Sequence, residues 1–232
     1  MPPRLKTTIR WVARGASAVI LAGVLYVAWD QAHYNLGEVQ PGRILRSGQM
    51  PASALARTIR EHKIRTVLNL RGGNNGEWYR QEQKATLDAG ATQVDLAMSS
   101  CMWLSRDRLR TVVRTLDTAE YPILIHCQWG SERTGLVSAV AELLRPGGTL
   151  ESARDQFSIR YLFARIGDGK VMAEHLDQYE RWLAAKGRSH EPALFREWVA
   201  NGYRPGFPSS ENWPHDPYPL VVITRPDGRT TR

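Results

Sequence analysis

The stretch that constrains this chain most is PILIHCQWGSERTG, residues 122–135. An apolar run leads into His126 and Cys127, the chain turns polar through Gly130, and Arg133, Thr134 and Gly135 follow after five intervening residues. The apolar run reads as a buried strand. Beyond it Leu136, Val140, Leu143 and Leu144 share one helical face, stopped by Pro146, Gly147 and Gly148. A strand, a tight loop and a helix are thus placed in succession. In open α/β sheets the carboxyl edge of the strands is where ligands bind, and Cys127 stands at that edge. Gly130 allows the turn, while loop amides and a helix N-terminus create a cradle of positive potential that fits a phosphate. Residues Gln128, Trp129, Gly130, Ser131, Glu132 and Arg133 would line it. Arg133 offers a planar fork to two phosphate oxygens. The same field favours a thiolate, moving a cysteine pKa from about 8.5 into a range of roughly 3.5–7.5. A thiolate beneath a held phosphate is positioned for in-line attack and a phosphocysteine intermediate.

The flanking sequence alternates. Short strands are read at 43–45, 66–70, 92–98 and 122–127, with helical spacing between them. Leu109, Val112, Val113 and Leu116 form one helical stripe behind Ser105 as N-cap. Met172, Leu176, Tyr179 and Leu183 mark a later helix, and Leu194, Phe195, Trp198 and Val199 another. This pattern predicts an α/β fold, with a central, mainly parallel sheet flanked by helices and extra helices at the C-terminal end. The folded domain is read over residues 43–200, after a polar linker at 30–42 and before an irregular, proline-rich tail at 201–232.

Residues 11–29, WVARGASAVILAGVLYVAW, run nineteen positions with one charge, Arg14. As a helix they would span roughly 28 Å, about the hydrocarbon thickness of a bilayer. Trp11 at one end, and Tyr26 with Trp29 at the other, sit where interfacial aromatics belong. Arg4, Lys6, Arg10 and Arg14 precede or open the run and Asp30 closes it, a net +3 that leaves +5 of the chain's +8 for the remainder. The expectation is a single-pass anchor with residues 1–10 in the cytoplasm and the domain on the far side, the periplasm if the source is bacterial. A cleavable signal peptide is the other reading, and no small-x-small cleavage pattern closes the run. The +5 suits an anionic substrate and does not require nucleic acid.

HCQWGSERTG resembles the His-Cys-x5-Arg-Thr/Ser-Gly signature of cysteine-dependent protein tyrosine and dual-specificity phosphatases. More loosely, GRILRSGQMP followed by IRTVLNLRG resembles the opening of compact, atypical dual-specificity phosphatases, so that the similarity spans roughly residues 40–165. The resemblance implies Cys127 as nucleophile and Arg133 as phosphate ligand and transition-state stabiliser. It makes His126 the residue that tunes the cysteine and gives Thr134 an assisting hydroxyl. It also implies hydrolysis of phosphoproteins or small phosphomonoesters with no metal or cofactor, and the six histidines show no metal-ligand spacing.

One departure from the family matters. Such phosphatases carry an aspartic acid on a loop after the preceding strand to protonate the leaving oxygen, and here that segment reads DLAMSSCMWLSRDRL. Asp95 has suitable spacing for that acid but alternates with Val94 and Leu96 inside a strand, which fits a structural role equally, and Asp107 suits the first turn of a helix. Glu132, beside the loop arginine, is the favoured acid, because some relatives of this superfamily place an acid there. Arg46 and Arg71 end strands, where they meet either a second anionic group or a structural partner. Trp129 either stacks on a substrate or packs beneath the loop. Cys101 either bridges reversibly to Cys127 or is a buried loop residue. The alternatives to a protein phosphatase are a lipid, sugar or inositol-phosphate phosphatase and, in another class, a phospho-binding pseudophosphatase.

Overall fold

The computed structural model describes residues 3–206 and 221–231. Four short strands form the middle of one sheet: β2 (Ile44–Ser47), β5 (Ile123–His126), β3 (Thr66–Asn69) and β4 (Thr92–Asp95), mutually parallel in that spatial order. Strands β2, β3 and β5 are buried along their whole length. This is the signature of a parallel sheet covered on both faces. Alternation sorts the side chains. Ile44, Leu68, Val94, Ile123 and Ile125 enter one core with Leu109, Val112, Leu136, Val140, Met172 and Trp198. Leu45, Val67 and Leu124 point the other way, against Leu55 and Ile59.

The first core holds α4 (Arg106–Thr118), α5 (Glu132–Leu144), α7 (Val171–Ala185) and α8 (Pro192–Glu197). The second holds α2 (Ala52–Glu61), which packs with α3 (Glu77–Asp88). Ser105 caps α4 as expected, its hydroxyl accepting from the Arg108 amide at 3.1 Å. The α8 turn begins at Pro192 and runs on as a wider turn, Trp198–Gly202. A short α6 (Leu150–Asp155) links α5 to α7.

The sheet is mixed rather than mainly parallel, because three short strands pair antiparallel at its margins. β1 (Gly37–Gln40) joins β2, whereas β6 (Val222–Thr224) joins β4 and β7 (Thr230–Thr231) joins β6. β1 lies within the stretch expected to be linker, and β6 and β7 lie within the stretch expected to be irregular tail. Edge strands of two to four residues bury too little apolar surface to show a run. The hairpin does carry a legible signal, Asp227-Gly228, where Gly228 takes φ +80°. Most of the proline-rich stretch, at 207–220, lies outside the described residues.

Helix α1 (Pro3–Ala32) extends away from this body. Within it, Trp11–Ala32 is long and apolar enough to cross a membrane, with mean hydropathy 1.6, and side chains 11–25 are exposed.

Candidate active site

The parallel register aligns Ser47, His126, Asn69 and Asp95 in one row at the carboxyl edge of the sheet. Cys127 is the next residue after β5, and α5 starts at Glu132. The intervening loop is held from outside by its carbonyls. The Gln49 amide donates to the Gln128 carbonyl at 3.1 Å, Asn35 Nδ2 to the Trp129 carbonyl at 3.0 Å, and an Arg46 terminal nitrogen to the Gly130 carbonyl at 2.6 Å. In a trans peptide the C=O of one residue and the N–H of the next point in opposite directions. Tying three successive carbonyls outward therefore turns the amides of Trp129, Gly130 and Ser131 inward, and the concavity becomes a ring of donors. Gly130 is required there twice over. Its φ is +74°, and a Cβ would stand 2.6 Å from the Gly48 nitrogen and 2.7 Å from the Ser47 carbonyl carbon.

Arg46 is the clamp beneath this loop. It is fully buried, bonds Gln156 through the backbone carbonyl at 2.7 Å and through Oε1 at 3.0 Å, and lies 3.6 Å over the Tyr161 ring. Burial pulls its pKa down to about 10, so it remains a cation. Cys127 is 1 % exposed. Burial opposes ionisation of its thiol, but Arg133, the Thr134 hydroxyl and amide, and the Gly130 amide outweigh burial and hold the thiol below its ordinary value. The Thr134 hydroxyl is buried and makes no hydrogen bond of ordinary geometry to a described residue, so it acts on the sulfur by proximity. Arg133 Nε is likewise buried without a protein acceptor, and its guanidinium enters no ion pair among the described residues. A cation left unpaired over a thiolate is a ready ligand for an oxyanion.

The sequence profile of the Tyrosine phosphatase family matches residues 30–145, half of the chain, and includes every loop residue above. The chain belongs to the tyrosine phosphatase family. As a cysteine-dependent phosphatase it is an enzyme of phosphoester hydrolysis. Among solved structures it is similar to TpbA of P. aeruginosa, a cysteine-to-serine variant in complex with pTyr. The TM-score is 0.53 and the identity 20 %, over 73 % of this chain and 93 % of that one. A second TpbA structure gives a TM-score of 0.51 at 21 % identity, with the same coverage. The core catalytic domain of the PP-IP phosphatase SIW14 from S. cerevisiae, in complex with citrate, gives 0.48 at 22 % identity, over 66 % and 92 %. At 20–21 % identity the likeness to TpbA is one of fold. No curated protein matched the sequence.

Behind the phosphatase loop stands a buried pair that the sequence did not reveal. His126 Nε2 lies 3.3 Å from Glu82 Oε1 on α3, at ion-pair distance but off the line of a good hydrogen bond, and both side chains are at most 3 % exposed. His126 Nδ1 faces the Cys127 carbonyl at 3.3 Å. Burial alone would lower the imidazole pKa; the Glu82 carboxylate overcomes this and raises it above 6.5. The pair's contribution to stability is therefore complete below pH 6.5 and disappears as pH rises through the elevated folded-state value. Replacing Glu82 with Gln is expected to lower the melting temperature at pH 5–6 and to matter progressively less toward pH 9. Thermal unfolding of both proteins across that range checks it, and a gap independent of pH would refute the linkage.

The remaining residues of the phosphatase fall into place individually. Asp95 is buried and accepts from Tyr79 Oη at 2.5 Å, Asn69 Nδ2 at 2.9 Å and Gln93 Nε2 at 3.2 Å, with its own pKa raised by burial. It knits strand ends together. Asp107 sits on the surface of α4, its side chain 75 % exposed and paired with Arg110. Glu132 is the first residue of α5, with Gly169 backed so closely that a Cβ there would meet its Cγ at 3.0 Å. Its carboxylate enters no ion pair among the described residues. Arg71 lies 3.7 Å over the Trp78 ring. The Trp129 side chain is 55 % exposed, so it does not pack beneath the loop. Cys101 is exposed rather than buried, and both cysteines are free. A cavity of about 450 Å³ opens at the far end of the sheet, but Arg196 and Arg145 on its wall are already paired with Asp117 and Glu142.

Proposed function

We propose that this phosphatase is a membrane-anchored phosphomonoesterase of the dual-specificity type that works through a phosphocysteine on Cys127. The outward-tied loop carbonyls of residues 128–130 carry the reading, because they present an amide cradle to an oxyanion directly above a thiol of lowered pKa. The Cys127 thiolate attacks phosphorus, the bond to the leaving oxygen breaks, and that oxygen takes a proton from the Glu132 carboxyl. Water then attacks the phosphocysteine and gives its proton to the Glu132 carboxylate, so inorganic phosphate leaves and both groups return to their starting states. Arg133 and the loop amides follow the charge as it spreads over the equatorial oxygens. The pTyr bound by TpbA in the same fold supports an aryl phosphate as one substrate. The other substrate class is a lipid, sugar or inositol phosphate. Hydrolysis of p-nitrophenyl phosphate by the purified chain, lost in Cys127→Ser, tests the phosphocysteine route, and its absence in the native chain would sink that route.

The acid role makes a distinct prediction. Glu132→Gln is expected to leave p-nitrophenyl phosphate turnover within about threefold while lowering turnover of an alkyl phosphate by roughly 10²-fold, since only the poor leaving group needs the proton. Equal losses on both substrates would remove Glu132 from that role.

For topology, the charge placed ahead of Trp11 supports an N-terminus in the cytoplasm and the phosphatase domain across the membrane. Reporters fused after residue 40 should be active only outside the cytoplasm, and a soluble full-length cytoplasmic product would contradict it.

A further inference from the structure

The base of α1 is not a free tether. The Tyr26 hydroxyl donates to the Arg160 carbonyl at 2.9 Å, and the Arg160 guanidinium reaches Asp30 Oδ1 at 3.1 Å and the Leu36 carbonyl at 3.0 Å. Three residues past the end of α1, buried Asn35 donates both to the Trp129 carbonyl in the phosphate loop and to the Tyr161 carbonyl at 3.1 Å. Tyr26 lies inside the apolar Trp11–Ala32 stretch, six residues before its end. At 1.5 Å per residue, a segment bonded to Tyr26 overlaps the last ~9 Å of that stretch. Residues 159–161 are thus held level with the last turns of that stretch.

The apolar surface agrees. Outside α1, the large apolar side chains exposed among the described residues are Trp129, Ile159 at 72 % and Ile166 at 76 %. They cluster around the site. Trp129 belongs to the phosphate loop, Ile159 adjoins Arg160, and Ile166 precedes the turn whose Gly169 backs Glu132. Ile159 and Trp129 stand beside the points where Tyr26 and Asn35 tie the base of α1 to the domain. Soluble surfaces scatter such residues; here they gather at the foot of a helix long enough to span a membrane.

We infer that this rim docks on the bilayer that takes α1, with Trp129, Ile159 and Ile166 seated at the lipid interface, so that the phosphatase draws phosphomonoesters carried at the membrane surface. The inference rests on the reading of α1 as an anchor. The test uses the full chain reconstituted into phosphatidylcholine vesicles containing phosphatidic acid. With Cys101→Ala and Cys127→Ser removing the native thiols, bimane on Ile159→Cys or Ile166→Cys should be quenched by nitroxide-bearing lipid. Bimane on Glu120→Cys, at the opposite end of the sheet, should not. Unquenched labels on protein that still floats with the vesicles would overturn docking and leave the anchor intact; protein that fails to float would overturn both. In the otherwise native chain, Ile159→Asp with Ile166→Asp should keep p-nitrophenyl phosphate turnover and lower phosphatidic acid turnover by about tenfold, from lost apolar contact with lipid. Equal loss on both substrates, or no phosphatidic acid turnover by the native chain, would overturn the assignment of substrates to the membrane surface.

Discussion

Cys127→Ser is expected to abolish phosphate-ester turnover, by a factor on the order of 10⁴ or more, while leaving binding of a phosphate analogue such as tungstate within a few-fold of the native protein. The two halves of this result have separate causes. A hydroxyl at that position stays protonated in a field sufficient to lower a thiol pKa, so the nucleophile is lost. The cradle is built from the amides of Trp129, Gly130 and Ser131, and their orientation is set by Gln49, Asn35 and Arg46, none of which touches the sulfur in order to hold the loop. Arg133→Lys should weaken both binding and turnover, because a point charge cannot engage two equatorial oxygens as a planar fork does. Kinetics alongside calorimetric titration of the analogue checks both. If the Ser variant loses binding as completely as turnover, the cradle does not exist independently of the thiolate.

Arg46→Met is expected to produce the largest loss of stability among single substitutions near the site. The side chain volume is nearly kept, but the Gly130 and Gln156 carbonyls lose their donor in a fully buried place. Leaving buried acceptors unsatisfied costs about 1–3 kcal/mol each. A total of roughly 2–5 kcal/mol corresponds to a melting temperature lower by about 5–15 °C for a domain of this size. Turnover should fall as well, by about tenfold or more at temperatures where the variant is still folded, since the freed Gly130 carbonyl no longer fixes its peptide plane. Differential scanning calorimetry and p-nitrophenyl phosphate kinetics test the two effects together. A melting temperature within about 2 °C of the native value would remove Arg46 from the role of clamp.

The sequence showed the catalytic loop because its chemistry is local. Cys127 and Arg133 are six residues apart on one strand-loop-helix unit, and the apolar runs on either side state that unit in their periodicities. Helices α4, α5 and α7 were legible for the same reason, each carrying a repeated apolar stripe. What holds the loop in shape was not legible, because its partners come from far along the chain. Asn35 is 94 residues from Trp129, Arg46 is 84 from Gly130, and nothing in the local pattern of either declares the contact. Glu82 is a polar residue on a helix with little apolar content, and its burial against His126 is decided by how α3 crosses the sheet. The edge strands were missed for another reason: β1, β6 and β7 are short and are placed mainly by backbone pairing, with single side chains such as Val39 and Ile223 reaching the core. For Asp95 the sequence left a strand position and the family's acid position both open, and the strand alternation with Val94 and Leu96 is the signal that matches its place at the end of β4.

The carbonyl ties around residues 128–130 also impose an order on the chain's birth. Asn35, Arg46 and Gln49 leave the ribosome long before the loop they grip, but Gln156 and Tyr161, against which Arg46 is braced, emerge after it. Until some thirty further residues have been made, Arg46 has no seat and the amides have no reason to converge. During that interval Cys127 is an ordinary, weakly acidic thiol, slow to react with peroxide because so little of it is ionised. Reactivity arrives with the finished fold, at the moment when the walls that restrict access to the sulfur arrive too.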